Sequence, residues 1–270
     1  MSAANQTALQ LVIGLYRFLF AREFFYPLNK LLFALSARGL GLLNFEDERA
    51  SGESHLIRRV LPRLIRREEP VVFDVGANVG SYAAAVLDRF PRARVHAFEP
   101  HPATFITLER RDSRIVAHRL ALGETRGTVT LYDRNDCAGS QQASIYGEVI
   151  SELYHQDPLP VEVPIDTIDN VVAQQQIEFV DFLKIDTEGH ELAVLKGASQ
   201  TLACGKIGCI HFEFNEMNVV SRVFFRDFRM LLAGYKFFRL LPSGLLRLGE
   251  NPLQTELFAY QNILAVKADS

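Results

Sequence analysis

From residue 71 onward, short apolar runs alternate with stretches whose apolar residues recur at helical spacing. The runs are rich in β-branched and aromatic residues, which is typical of buried strands. In chain order they read V-V-F-D, R-V-H-A-F-E, R-I-V-A-H-R-L-A-L, E-F-V-D-F-L-K-I-D and I-G-C-I-H-F-E-F-N-E. The helical stretches between them lie at about 80–90, 102–111, 190–205 and 221–233. This alternation predicts an α/β fold with a mostly parallel, doubly wound, Rossmann-like sheet.

The remaining pattern completes one domain over residues 46–270. T-V-T-L-Y predicts a strand, residues 136–144 are polar and predict a loop, and a helix is expected to end near Gln176. Y-K-F-F-R-L-L-P-S-G-L-L-R-L predicts an antiparallel hairpin that turns at Pro242, Ser243 and Gly244. N-I-L-A-V-K predicts a final strand. We therefore expect a C-terminal hairpin at one edge of the sheet.

Residues 1–45 form a separate apolar extension. Arg17, Arg22, Glu23 and Lys30 interrupt its apolar residues, so no run reaches the roughly 20 residues of a membrane-spanning helix. No secretory leader pattern is present either. We predict two amphipathic helices, separated near Pro27, that pack on the domain or cover its cleft. The alternative is a helix lying on a membrane surface or against a partner.

Composition narrows the class of protein. The chain has 270 residues, 48% hydrophobic and 23% charged, as in a globular protein with an ample core. A formal net charge of −3 gives no electrostatic footprint for nucleic acid. The three cysteines match no metal or disulfide spacing and predict free thiols in a reducing, cytoplasmic compartment.

Four predicted strands end in an acid. Asp74, Glu99, Asp186 and Glu213 each close an apolar run at its carboxyl end. Open α/β sheets bind ligands outside the carboxyl ends of their strands. A single aspartate there is equally well explained as a helix cap. Four acids at the same position favour a ligand site, because unpaired buried carboxylates cost several kcal/mol each.

The first of these strands continues into D-V-G-A-N-V-G. Gly76 and Gly80 remove side chains where the backbone turns, which lets a ligand approach the positive end of the following helix. Glu99 follows 25 residues after Asp74, near the place of a ribose-binding acid in dinucleotide folds. However, G-x-G-x-x-G is absent, and no G-K-[S/T] follows. The loop therefore favours a ligand with a cationic group over one with a pyrophosphate.

Three segments together resemble the FkbM family of S-adenosylmethionine-dependent methyltransferases. They are V-F-D-V-G-A-N-V-G-S-Y, V-H-A-F-E-P-H-P-A-T-F and D-F-L-K-I-D-T-E-G-H-E-L-A-V-L-K-G-A, and the resemblance covers roughly 50–265. It implies a class I methyltransferase fold and O-methylation of a small molecule, a sugar or a glycan or natural-product precursor. The cofactor-binding residues that it implies are Asp74, Gly76, Ala77, Asn78, Gly80, Glu99, Pro100, Ala121, Leu122 and Asp186. Among them, the D-V-G-A-N-V-G loop would hold the methionine moiety, Glu99 the ribose, and Ala121 and Leu122 the adenine.

The segment K-I-D-T-E-G-H-E supplies candidate catalytic residues. Asp186, Glu188 and His190 lie within five residues at a strand-to-helix turn. His190 is a candidate proton acceptor because the ordinary pKa of histidine lies near neutrality, with Asp186 or Glu188 orienting it or the acceptor. The structural alternative is that the charge of Glu188 favours the helix N-terminus, that Glu191 is a solvated first-turn acid, and that His190 caps or packs. A divalent metal such as Mg²⁺, with Glu213 or Glu216 as further ligands, is not favoured.

Two other function classes are open at this point. One is an inactive relative that keeps the pocket as a binding module, and the other is an NAD(P)-dependent oxidoreductase with an atypical loop. The expected partner is a small-molecule or sugar hydroxyl acceptor. A homo-oligomer and peripheral membrane contact are both compatible with the sequence.

Overall fold

The computed structural model describes residues 3–134 and 143–268. The strands are β1 Val71–Val75, β2 Arg94–Phe98, β3 Ile115–His118, β4 Ala121–Leu122, β5 Gly127–Arg134, β6 Pro158–Asp166, β7 Val180–Ile185, β8 Ile207–Phe214, β9 Tyr235–Leu241, β10 Gly244–Arg247 and β11 Gln261–Lys267. The helices are α1 Ala3–Phe20, α2 Tyr26–Gly39, α3 Glu53–His55, α4 Leu61–Leu64, α5 Ser81–Arg89, α6 Pro102–Glu109, α7 Ile168–Gln174, α8 Glu191–Lys196, α9 Ser199–Ala203, α10 Met217–Val220, α11 Phe225–Leu231 and α12 Pro252–Thr255.

Eight strands form the central sheet in the order β10-β9-β11-β8-β7-β1-β2-β3. Strands β3, β2, β1, β7 and β8 are parallel, whereas β11 runs antiparallel to both β8 and β9. The β9–β10 hairpin completes one edge. The predicted Rossmann-like sheet with its C-terminal hairpin is confirmed. The chain builds outward from β1 to β3 and then returns to β7, so the switch in strand order lies between β1 and β7, where such sheets bind ligands.

The sheet is buried on both faces, which explains its nearly continuous apolar strands. In β1, Phe73 packs into one core cluster with Leu183 and Phe212. Its neighbour Val72 points to the opposite face and packs with Phe182. Alternate side chains of a strand point to opposite faces, so each face needs its own apolar partners.

Two predicted elements are broken in the structure. The third apolar run divides into β3 and β4, and β4 joins a separate small sheet of order β4-β6-β5. The predicted helix 190–205 divides into α8 and α9. A side chain at Gly197, between these helices, would place its Cβ 1.9 Å from the Gly123 carbonyl oxygen. This close backbone contact docks the small sheet against the break in the helix.

The N-terminal segment forms a helical pair with little burial. The Asn29 side chain donates to the Phe20 carbonyl and accepts from the Tyr16 hydroxyl, which joins α1 to α2. The predicted packing of these helices on the domain is not observed, since Ala37 alone is buried among residues 5–39. Within the described chain, no helix combines the length and apolar character needed to cross a bilayer.

Candidate active site

A cavity of about 630 Å³ opens at the carboxyl ends of β1, β2, β7 and β8. The sequence-predicted residues that line it are Gly76, Ala77, Asn78, Glu99, Pro100, Ala121, Leu122, Asp186, Glu188 and His190. Asp74 and Gly80 are not among the lining residues. The volume lies within the usual range for small-molecule sites.

The loop after β1 is held tightly between its neighbours. The backbone N–H groups of Gly76 and Ala77 both donate to the Phe98 carbonyl, each at 3.0 Å. Gly76 has a φ of 75°, and an added Cβ would lie 1.7 Å from the Asp186 carbonyl oxygen. The sequence analysis predicted that a glycine is needed at position 76 so that a ligand can approach the backbone. The structure shows that the close approach is by the neighbouring backbone after β7.

Gly80 lies behind the cavity rather than in it. Its φ is 79°, and an added Cβ would lie 2.7 Å from Leu108 Cδ1. This left-handed turn begins α5 and packs it on α6. Gly80 therefore supports the loop and does not line the cavity, and its predicted contact with the cofactor stays a prediction.

Glu99 is the carboxylate at the end of β2. Its Oε2 accepts the Asn78 N–H at 3.0 Å, and its Oε1 accepts the His101 N–H at 2.8 Å. Burial raises the pKa of Glu99 to about 7, against the lowering effect of these two bonds. The carboxylate thus fixes the loop after β1 and still lines the cavity.

Asp74 pairs inside the protein with Lys184, a residue that the sequence analysis did not single out. Lys184 Nζ lies 3.4 Å from Asp74 Oδ1 and 3.1 Å from Asp186 Oδ2. Asp74 is completely buried and does not line the cavity, and Lys184 connects it to the loop by donating to the Gly76 carbonyl at 3.4 Å. The predicted contact of Asp74 with the cofactor stays a prediction. Burial acts to lower the pKa of Lys184, but the carboxylates of Asp186 and Asp74 outweigh it and raise that pKa. The feature of the sequence that could have revealed this buried cation is a lysine within an apolar strand, F-L-K-I-D.

Glu191 holds the turn after β7. Its Oε1 accepts the backbone N–H groups of Thr187 and Gly189 and the Thr187 hydroxyl. The side chain is buried, so the alternative of a solvated first-turn acid is wrong for Glu191. This network fixes the backbone on which Glu188 and His190 are carried.

Glu188 lies in this fixed turn with a φ of 55°, an unfavourable value for a residue with a side chain. Its carbonyl accepts the Ser144 hydroxyl at 2.7 Å, and its buried Oε2 has no hydrogen-bond partner in the described chain. Burial, with the nearby charges of Asp186 and Glu191, raises the pKa of Glu188 well above its ordinary value. A strained, desolvated carboxylate beside a cavity is typical of a functional group.

His190 lines the cavity, with one ring nitrogen near Tyr146 and the other buried. Its Nδ1 lies 3.3 Å from the Tyr146 hydroxyl, and Nε2 is buried without a hydrogen-bond partner in the described residues. An added Cβ at Gly123 would lie 2.9 Å from Nε2, so this atom faces the backbone after β4. Burial lowers the pKa of His190 to about 4, which leaves the imidazole neutral at pH 7.

Comparison with known proteins decides the family. Residues 74–238 match the methyltransferase FkbM domain, which is more than half of the chain. The chain belongs to the FkbM methyltransferase family. The family resemblance seen in the sequence is thereby confirmed, and the protein is an S-adenosylmethionine-dependent methyltransferase. Nothing in these matches supports the binding-module or oxidoreductase alternatives.

Several relatives of this FkbM-family chain carry functional names. It is 22% identical to the 2-O-methyltransferase NoeI of Sinorhizobium fredii, over 74% of this chain and 86% of that protein. It is 30% identical to the hexuronic acid methyltransferase AglP of Haloferax volcanii, over 56% of this chain and 58% of that protein. Among solved structures, it resembles a methyltransferase FkbM from Methylobacillus flagellatus with 16% identity and a TM-score of 0.47, over 81% of this chain and 50% of the other.

The cavity of this FkbM-family protein has two chemically different sides. Phe98, Leu120, Ala121 and Leu122 form an apolar wall beside Glu99. Glu53, Glu213 and Glu216 also line the cavity, with Tyr154 and Tyr260. Glu213 belongs to β8, which is separated from β2 by β7 and β1, so this group defines the second side of the cavity. An apolar wall beside a carboxylate suits an adenosine group, so the residues present fit the cofactor of the family.

The second side is unusually acidic. Burial raises the pKa of Glu53 to about 7, against the lowering effect of Lys184. Burial and the charges of Asp186 and Glu188 also raise the pKa of Glu213. Among the described residues, no three His, Cys, Asp or Glu side chains are placed to hold a metal ion together.

The end of the N-terminal extension also contributes to the cavity. Leu43 and Phe45, which follow the helices that were expected to pack on the domain or cover its cleft, line it, although the sequence did not single out these two residues. The Leu43 N–H donates to the Tyr260 carbonyl at 2.8 Å, and the rings of Phe45 and Tyr260 are 6.0 Å apart. The polar loop predicted at 136–144, which the sequence alone leaves open as a pocket wall or an ordinary surface loop, lies largely outside the described residues. Beside it, Ala143 and Ile145 line the cavity.

Proposed function

We propose that this enzyme transfers a methyl group from S-adenosylmethionine to a hydroxyl group of a small molecule, a sugar or a glycan or natural-product precursor. The observation that carries the proposal is a single cavity that has an apolar wall suited to adenosine beside Glu99 and polar residues around Glu188. The names of two relatives support it, namely a 2-O-methyltransferase and the 31-O-demethyl-FK506 methyltransferase FkbM of Streptomyces tacrolimicus.

In this proposal, the cofactor lies along the first side of the cavity. Glu99 binds the ribose hydroxyls, Ala121 and Leu122 contact the adenine, and Gly76, Ala77 and Asn78 line the methionine end. Asp186 has Oδ2 engaged by Lys184 at 3.1 Å, so Oδ1 remains as an acceptor for an ammonium or hydroxyl group. When bound, S-adenosylmethionine supplies a methyl group that is already activated by its sulfonium, so alignment of the acceptor oxygen is the main task of the protein.

Glu188 is the proposed proton acceptor for the attacking hydroxyl. Its raised pKa brings it toward the range in which a carboxylate is an effective base at neutral pH. In this proposal His190 has a positioning role instead, because its Nδ1 is shared with the Tyr146 hydroxyl and its lowered pKa makes it a weak base. This division of roles differs from the sequence prediction, in which His190 was the proton acceptor.

The charge of the lining also restricts the acceptor. The lining carboxylates are Glu48, Glu53, Glu99, Asp186, Glu188, Glu213 and Glu216. Lys184 is the one lysine or arginine among the described lining residues, and it is paired with Asp74 and Asp186. We therefore propose a neutral or amine-bearing acceptor, because the described lining has no unpaired lysine or arginine to neutralise a carboxylate on the acceptor, and those lining carboxylates that are ionised would repel it. In this proposal the acceptor differs from the hexuronic acid that the name of AglP gives for that relative.

A matched acceptor panel tests this function. The purified chain is incubated with S-adenosylmethionine and a neutral methyl glycoside, its amino-sugar analogue or its uronate, and S-adenosylhomocysteine is quantified by mass spectrometry. We expect an O-methylated product one CH₂ heavier, formed at least about tenfold faster from the uncharged or cationic sugars than from the uronate. Donor binding without product from any hydroxyl acceptor would contradict the proposal.

The role of Glu188 predicts a specific pH dependence. Glu188 must be deprotonated to accept a proton, so activity should fall as pH falls through its raised pKa, above the ordinary value of 4.5. Glu188→Gln should lower kcat about 10²–10⁴-fold and abolish this acidic limb. The exposed Glu178→Gln serves as the control and should change neither. If the fall in activity at low pH persists in Glu188→Gln, then a residue other than Glu188 is the proton acceptor.

A further inference from the structure

The α1–α2 pair carries a large exposed apolar surface. Leu11, Phe18, Phe24 and Phe33 are each at least 70% exposed. The consecutive residues Leu11, Val12 and Ile13 of α1 are also exposed. Consecutive residues point in different directions around a helix, so the apolar surface of α1 is wider than a single stripe. A helix that is apolar on most sides is normally covered by protein or by lipid.

The charge of this segment differs in sign from that of the rest of the protein. Residues 1–45 contain four basic residues and one acidic residue. The other 225 residues hold the remaining 25 basic and 31 acidic residues of the chain. A basic, apolar segment on an acidic domain is complementary to an anionic lipid surface. A second copy of the same segment would bring like charges together.

The segment is firmly connected to the cavity. Arg239 Nη1 donates to the Leu40 carbonyl at 3.2 Å, directly after α2. An added Cβ at Gly41 would lie 2.5 Å from the Leu240 carbonyl oxygen, so the backbone here lies directly against β9. The following residues Leu43 and Phe45 are part of the cavity wall. A surface that held α1 and α2 would therefore hold the active site close to it.

We propose that α1 and α2 dock the enzyme on an anionic lipid bilayer, with their apolar side chains in the interface and their basic residues at the headgroups. The helices span about 27 Å and 21 Å, which suits a pair lying in the plane of one leaflet. Docking in this position presents the Leu43–Phe45 side of the cavity to molecules at the membrane.

Vesicle flotation of the full-length chain tests the docking. Vesicles of phosphatidylcholine alone are compared with vesicles containing a third phosphatidylglycerol. We expect binding several-fold stronger on the anionic vesicles and weakened by added salt. Leu11→Ser/Phe33→Ser should reduce it about tenfold. The matched double variant Met230→Ser/Leu253→Ser removes equally exposed apolar residues elsewhere and should bind like the unaltered chain.

Reversing the charge of two basic residues separates the electrostatic contribution to membrane binding from the apolar contribution. Arg17→Glu/Lys30→Glu should abolish the preference for phosphatidylglycerol, because the apolar residues remain and the headgroup contacts are lost. Failure of the unaltered chain to float with anionic vesicles would overturn the proposal. So would a dimer in light scattering that Leu11→Ser/Phe33→Ser converts to a monomer, since a second copy would then be the occupant of this surface.

Discussion

Replacing Glu99 with alanine is expected to weaken binding of S-adenosylmethionine and S-adenosylhomocysteine about 100-fold or more. Two hydrogen bonds from ribose hydroxyls to a buried carboxylate are each worth about 1.5–3 kcal/mol, and their joint loss corresponds to at least this factor. The same carboxylate accepts the N–H groups of Asn78 and His101, so the variant also loosens the loop after β1. Isothermal titration calorimetry measures the change directly.

Two controls separate lost ribose contacts from lost structure. Glu109→Ala removes an exposed acid of α6 and should leave the affinity unchanged. Glu99→Gln keeps one acceptor oxygen and the shape of the side chain, so its affinity should lie between those of the unaltered chain and Glu99→Ala. Unchanged affinity in a folded Glu99→Ala variant would remove Glu99 from the cofactor site.

Lys184→Met is expected to produce the largest loss of stability among the variants considered. The substitution leaves Asp74 completely buried without its cation, which lies 3.4 Å away in the intact protein. Removing one partner of a buried ion pair typically costs about 3–5 kcal/mol, much more than either partner contributes at the surface. The free energy of unfolding should fall by this amount, and Tm by about 10 °C in a domain of this size.

The buried charge itself, rather than the lost side chain, should cause most of this effect. Asp74→Asn/Lys184→Met removes the uncompensated carboxylate and should recover at least half of the lost free energy. Lys196→Met removes a lysine from a pair with Glu124 in which both side chains are about half exposed, and should change stability little. Equal Tm values for Lys184→Met and Lys196→Met would show that Lys184 is not a structural cation.

The sequence was sufficient for the parallel part of the central sheet because β1, β2, β7 and β8 are buried on both faces. That burial makes the apolar runs nearly continuous, and the strand-helix alternation then restricts the topology. The acids at the strand ends likewise predicted the cavity edge, since parallel strands bring their carboxyl ends together. These inferences depend on patterns within single segments, namely an apolar strand, the helix that follows it and the residue at the end of the strand.

Contacts between distant segments were not predictable in the same way. The pairing of Asp74 with Lys184 joins residues 110 positions apart, and Gly76 is required by the backbone of Asp186 rather than by a ligand. The break between α8 and α9 depends on contact with Gly123, which belongs to another sheet. Each of these features follows from strand order, which a single segment of sequence does not contain.

The division of roles between His190 and Glu188 has the same origin. Both residue types are suitable bases, and their spacing in K-I-D-T-E-G-H-E does not distinguish them. Burial lowers the pKa of His190 and raises that of Glu188, and His190 Nδ1 is shared with Tyr146, so Glu188 is the stronger candidate base. Only the folded backbone supplies that difference.

A crystal structure of the full chain with S-adenosylhomocysteine would locate the nucleoside directly. We expect the ribose hydroxyls within hydrogen-bonding distance of the Glu99 carboxylate, the adenine against Ala121 and Leu122, and the sulfur facing Glu188. A nucleoside bound elsewhere, for example in the cleft between Thr125 and Lys196, would contradict the assignment of the cavity as the methyl-transfer site.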